Sequence, residues 1–210
     1  MKMVVVGGNS RDIGKTSVVA GIINALPHRH WLAIKLTQLG HGTCSVDGHE
    51  CDCAPEDHSF AIREERDRSG TTDTSRFLVA GARRALWVRV RWGMLETVIP
   101  RLRQELEEEE NVIIESNSIL RFFRPNIYLS VLEPATKDFK TSAREFLGRA
   151  DAFLSLGRSD DSSPWEGISL EDVRAKPVFP IRRDCYVTPE IVNFVEGRLN
   201  RAESAPYLSC

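Results

Sequence analysis

With 210 residues, 41% of them hydrophobic and 28% charged, the chain has the make-up of an ordinary water-soluble globule, long enough for one well-filled core and short for two. A formal net charge of −2 gives no general attraction to nucleic acid or to an anionic membrane surface. No apolar run approaches the roughly 20 residues of a membrane span, and the first residues lack the layout of a secretory signal, so a single cytoplasmic domain over 1–210 is expected.

In chain order, Met3–Val6 is a β-branched run suited to a central strand, and Thr16–Leu26 follows with helical periodicity and stops before Pro27. Trp31–Leu36 reads as a second buried strand. The stretch from Thr37 to Thr72 is polar and long, and is expected to be an insertion at about 38–71. A helix capped by Thr72 or Asp73 is predicted up to Ala82. Next come a strand at Ala85–Val90 and a helix over Leu95–Glu110, whose "ELEEEE" end reads as a solvated face. Asn111–Glu115 and Asn126–Leu132 are strands, followed by a helix around Ser142–Arg149. Ala152–Leu156 and Pro177–Ile181 complete the strands, and Thr188-Pro189 introduces a final helix over Glu190–Arg201. Strands alternating with helices predict an α/β fold of three layers, with a mostly parallel sheet whose ligands lie beyond the strands' carboxyl ends.

The stretch "VVVGGNSRDIGKTSVV" places a glycine turn and Gly-Lys-Thr between a strand and a helix. Five residues separate Gly8 from Gly14, one more than in the usual phosphate loop, yet every working part is present. The backbone N–H groups of Gly8, Asn9, Ser10, Arg11, Asp12, Ile13, Gly14, Lys15, Thr16 and Ser17 form the candidate cradle, aided by the positive end of the helix. Lys15 can reach the β- and γ-phosphates, and the Thr16 hydroxyl can bind Mg²⁺.

This loop resembles the modified phosphate loop of dethiobiotin synthetase and the cobyrinic acid synthase group, in which the pattern is close to G-T-x-S/T-x-V-G-K-T/S; Asn9 stands where Thr is usual. Downstream, Ile34-Lys35 and the segment Asp73-Thr74-Ser75-Arg76 through Ala80-Gly81-Ala82 look like the adaptor proteins of molybdopterin-guanine dinucleotide synthesis, of the same superfamily. The chain departs from that pattern at its cysteine-bearing insertion and at "ESNS" after Glu115. The resemblance implies a P-loop NTPase that works as a homodimer, with a lysine after the second strand serving the phosphate site.

Mg²⁺ needs hard oxygen ligands, for which Thr16, Asp73 and Glu115 are the candidates. Lys15, Lys35 and Glu115 are the candidate catalytic residues. Lys35 can stabilise charge on the γ-phosphate or hold an acidic substrate group. ATP and GTP both remain open. "GRSD" (157–160) faintly echoes the guanine-reading N-K-x-D element, with Asp160 accepting from the base, and Arg182–Tyr186 is the other candidate for base contact.

Three of the five cysteines, Cys44, Cys51 and Cys53, crowd into ten residues beside His41, His49 and His58. In a cytoplasmic chain this suggests Zn²⁺ or part of an iron–sulfur cluster rather than a disulfide framework. Free loop cysteines and a redox pair are the alternatives. The leading expectation is Mg²⁺-dependent hydrolysis of a nucleoside triphosphate in cofactor or metal-centre assembly. The others are an ATP-dependent ligase or kinase acting on a small carboxylate substrate, and a slow nucleotide-gated adaptor for a partner protein.

Overall fold

The computed structural model describes residues 1–40, 59–157, 165–168, 173 and 175–204. Eight strands form one sheet in the order β3-β4-β2-β5-β1-β6-β7-β8. They are β1 (Lys2–Gly8), β2 (Leu32–Leu39), β3 (Phe60–Glu64), β4 (Arg84–Arg91), β5 (Asn111–Glu115), β6 (Ile127–Leu132), β7 (Ala152–Leu156) and β8 (Val178–Ile181). All neighbouring pairs are parallel except β3 with β4.

The β-branched run of β1 is buried on both faces because helices cover both sides of the sheet. One layer contains α1 (Lys15–Ala25), α2 (Asp73–Val79) and α5 (Pro189–Ser204). Their apolar residues Val18, Ile22, Phe77, Ile191 and Val195 pack with Val4, Val6 and Leu129. The other contains α3 (Leu95–Leu106) and α4 (Thr141–Phe146), where Val98, Leu102 and Phe146 pack on Val5, Ile34 and Val88. The alternation of neighbouring residues between these cores is the period-2 geometry of a strand. The chain leaves β1 for β2 over the first layer, and β6 for β7 over the second. A crevice therefore opens beyond the carboxyl ends of β1 and β6, the usual ligand position in such sheets.

Three sequence expectations are corrected. The polar stretch after the second strand is not wholly outside the sheet: β2 runs on to Leu39, and Phe60–Glu64 adds an antiparallel edge strand on β4. Periodicity did not reveal β3, because at an edge its residues are only partly buried or exposed. Lys35 consequently lies mid-strand, with its Cα paired to that of Glu115. Finally, α3 ends at Leu106 rather than Glu110, and the acidic stretch 105–110 is not a purely solvated face. Glu109 is buried and pairs with Arg83 and, at 3.0 Å, with Arg84, which also reaches Glu105 at 3.2 Å. Among the described residues no helix is long and apolar enough to cross a membrane.

Candidate functional site: a glycine loop beside a lysine–carboxylate cluster

The first glycine of the pair ending β1 is required by an asparagine from elsewhere in the chain, which also holds the second. Asn117 accepts from the Gly8 N–H at 2.8 Å and donates to the Gly8 carbonyl at 2.9 Å. A Cβ on Gly7 would lie 1.9 Å from the Asn117 amide oxygen. Asn117 belongs to the "ESNS" departure, so that segment holds the end of β1 in place.

Asn9 is fully buried and joins the loop to the segment after β6. Its backbone N–H donates to Val131, its side chain donates to the Asp138 carbonyl at 3.1 Å, and its side-chain oxygen accepts from the Glu133 N–H at 3.0 Å. Ser10 donates to the Asp138 carboxylate at 2.7 Å. Ile13 turns inward as a buried plug in the α1 core. Asp12 and Gly14 have φ of 54° and 87°, the left-handed turns that bring the chain into α1. Gly14 caps α1 without a side-chain hydrogen bond, and no acidic residue lies in the first turn. The first N–H groups of an 11-residue helix thus face the loop with no carboxylate from the helix's own first turn beside them.

A Cβ on Gly14 would meet the Tyr186 ring at 1.9 Å. The Arg182–Cys185 turn, closed by reciprocal backbone hydrogen bonds, places that ring on the loop. Gly14→Ala is expected to lower stability by about 2 kcal/mol from the left-handed backbone alone, and more from displacing the ring. Urea denaturation checks this; a variant as stable as wild type would show that the loop readily adopts another path.

At the foot of the loop, four side chains from four elements converge. The Thr16 hydroxyl of α1 donates to Glu115 Oε2 at 2.8 Å. Lys35 Nζ of β2 lies 2.5 Å from Glu115 Oε1, 2.8 Å from Asp73 Oδ2 and 3.4 Å from Thr16 Oγ1. Glu115, only 4% exposed, is a buried carboxylate held by a cation and a hydroxyl. Asp73 is free to take part because Thr72 caps α2, accepting from the Ser75 N–H at 3.1 Å.

Charge at this site is unevenly compensated. Burial works against the Lys35 ammonium, but Glu115 and Asp73 outweigh it and hold its pKa above the ordinary value. Burial likewise opposes the Asp73 charge, and the hydrogen bond from Lys35 outweighs it, so that carboxyl sits below its usual range. Lys15 lacks such a partner. Its ammonium folds back on its own loop and donates to the Ser10 carbonyl at 2.6 Å. Burial, with Lys140 next, brings its pKa down from 10.5 to about 8.

The donor set around Lys35 Nζ is all oxygen: one hydroxyl and two carboxylates already gathered about a positive charge. That chemistry fits Mg²⁺, which is typically bound through one or two carboxylates plus phosphate oxygens. Among the described residues no group of three or more His, Cys, Asp or Glu side chains is assembled for a metal.

The structure therefore brings Gly8–Thr16, Lys35, Asp73 and Glu115 together. Ser17 points elsewhere: its hydroxyl accepts from Arg76 at 2.9 Å and ties α1 to α2. Cys44, Cys51, Cys53 and Asp160 lie outside the described residues. Asn117, Asp138, Lys140 and Tyr186 were not singled out from sequence, although Tyr186 closes a segment marked for base contact. A polar recess of about 370 Å³ lined by Arg83, Arg84, Arg101 and Glu105 lies at the other end of the strands, its arginines paired with the chain's own carboxylates.

No protein-family model and no curated protein sequence matches the chain. Among solved structures, HypB from Helicobacter pylori, determined in complex with nickel, is 15% identical. That match covers 99% of this chain and 91% of HypB, with a TM-score of 0.48. LpxK from Aquifex aeolicus, determined with ATP, is 16% identical over 86% of this chain with a TM-score of 0.46; the match spans 53% of LpxK, about half its length. MobB from Bacillus subtilis is 17% identical over 95% of this chain and 98% of its own, with a TM-score of 0.42. Likenesses of this size add nothing to what the site's own geometry says.

Proposed function

We propose that the chain binds a nucleoside triphosphate with Mg²⁺ at residues 8–16 and cleaves its terminal phosphate. The observation that carries this reading is the meeting of Thr16, Lys35, Asp73 and Glu115 beside an uncapped helix start that already holds Lys15. The loop amides and Lys15 bind phosphate oxygens, which have the charge and acceptor capacity that the helix start lacks. Lys35 stays protonated between its carboxylates and is positioned to stabilise charge that develops on the terminal phosphate. Thr16, Asp73 and Glu115 would hold Mg²⁺, which when bound neutralises phosphate charge and orients the leaving group.

The role in cofactor or metal-centre assembly belongs to the same proposal, with Cys44, Cys51 and Cys53 as a second site for zinc or an iron–sulfur cluster and a homodimer as the working unit. The superfamily resemblance of the loop and of Ile34-Lys35 supports it, and the crowding of three thiols supports the second site.

The test is titration of the full chain with ATP and GTP and their diphosphates, with and without Mg²⁺, and phosphate release in parallel. Asp73→Asn is expected to raise the Mg²⁺ concentration needed for half-maximal turnover by about 10- to 100-fold while changing nucleotide affinity little. Absence of nucleotide binding by the folded wild type would end this reading. An unchanged Mg²⁺ requirement in Asp73→Asn would remove Asp73 from the metal site.

A further inference from the structure

One cation near the loop has no role in the cluster described above. Lys140 follows β6 and stands immediately before α4, half-buried, with its backbone N–H on the Asn9 carbonyl at 2.8 Å. The segment that carries it is fixed to the loop. The Glu133 backbone N–H donates to the Asn9 side-chain oxygen, the Asn9 side chain donates to the Asp138 carbonyl, and Ser10 donates to the Asp138 carboxylate. The position of Lys140 is therefore set by the same hydrogen bonds that shape residues 9 and 10.

The surrounding charge is unevenly paired. Arg11, Lys15, Lys35 and Lys140 share one field with Asp12, Asp73, Glu115 and Asp138. Asp73 and Glu115 pair with Lys35, and Asp138 accepts from Ser10. Lys15 reaches only a carbonyl, and among the described residues Lys140 forms no ion pair. Burial first, and then Arg11, lower the Lys140 pKa, outweighing the nearby Asp138 and Glu115 carboxylates. Such crowding is unfavourable in the free protein and fits a ligand that brings several negative charges of its own. In the sheet order β2, which carries Lys35, and β6, which leads into the segment of Lys140, lie on opposite sides of β1.

We propose that Lys140 is a further phosphate-contacting residue of this site, one that reads the terminal phosphate and so selects a nucleoside triphosphate over a diphosphate. This inference rests on the phosphate-loop reading. A diphosphate would satisfy the loop amides and Lys15 from the helix side. The additional phosphate brings the extra charge that Lys35 and Lys140 can share, and as charge shifts on its oxygens during cleavage a fixed ammonium stabilises them without reorganisation.

The experiment compares wild type, Lys140→Met and Lys140→Arg, using ATP, GTP, ADP and GDP with Mg²⁺ in equilibrium titrations and single-turnover cleavage. Thermal melting is recorded for each variant. Lys140→Met keeps the aliphatic stem and removes the charge. It is expected to weaken triphosphate binding about 10-fold and diphosphate binding less than about 3-fold, and to slow cleavage about 30- to 100-fold. Lys140→Arg should recover most of the discrimination, which a purely structural role would not predict. An unchanged triphosphate-to-diphosphate ratio and cleavage rate in folded Lys140→Met would overturn the inference while leaving the loop reading intact. Equal loss of both nucleotides, or a Lys140→Met that melts early and is not rescued in discrimination by arginine, would overturn it in favour of a structural role. Wild type that binds neither nucleotide would remove the loop reading itself, and this inference with it.

Discussion

Lys15→Ala should bind nucleoside triphosphate about 10- to 100-fold more weakly than wild type, the loss of one charge-assisted contact of about 1.5–3 kcal/mol, and should cleave it about 10²- to 10³-fold more slowly. The chain should still fold, because Lys15 takes no part in either apolar core and its ammonium is hydrogen-bonded only to the Ser10 carbonyl. In the free protein the substitution has a second readout. The folded pKa of Lys15 is about 8 against an ordinary 10.5, so between those pH values the unfolded chain binds more protons than the folded one. Wild-type stability should gain from this residue as pH rises through that window, by up to about 3 kcal/mol, and the variant should lack the gain. Urea denaturation of both proteins at pH 7 and pH 10 measures the difference. Parallel pH profiles would show that the ammonium is not held at the expense of stability, and unchanged binding in a folded variant would remove the phosphate-loop reading.

Glu115→Gln should lose about 10²- to 10³-fold in Mg²⁺-dependent turnover while nucleotide affinity stays within a few-fold of wild type. The amide keeps the shape and can still accept from Thr16, so the loop amides that bind phosphate are undisturbed. What disappears is a buried negative charge opposite Lys35, leaving Asp73 as that ammonium's remaining carboxylate partner. A buried cation that loses half of its compensation loses its proton more readily and ceases to be a dependable positive charge at the terminal phosphate. The expected signature is a turnover profile whose alkaline limb moves to lower pH in the variant. The measurement is phosphate release against pH and Mg²⁺ concentration. A folded Glu115→Gln with wild-type turnover at limiting Mg²⁺ would show that the cluster is structural only.

The sequence by itself determined the local parts. A β-branched run, then Gly-Gly, then Gly-Lys-Thr before a helical period defines a strand, a turn and a helix start, because each depends on residues within a few positions of one another. Alternation of strands and helices likewise implied a layered, mostly parallel sheet. Lys35 and Glu115 could be marked as unusual because a charge within or ending an apolar strand is costly unless something pairs with it. What pairs with it was decided only by tertiary structure. Periodicity shows which face a residue takes and says nothing of which strand lies beside it. The register that sets Lys35 opposite Glu115 follows from the placing of β5 between β1 and β2. The same limit hid Asn117, whose amide grips Gly8 from 109 residues away, and Tyr186, whose ring occupies the space that Gly14 leaves open. It hid Lys140 as well, which in sequence is an ordinary lysine before a short helix. Its place beside the loop comes from hydrogen bonds to Asn9 and Ser10 that exist only once β6 has paired with β1.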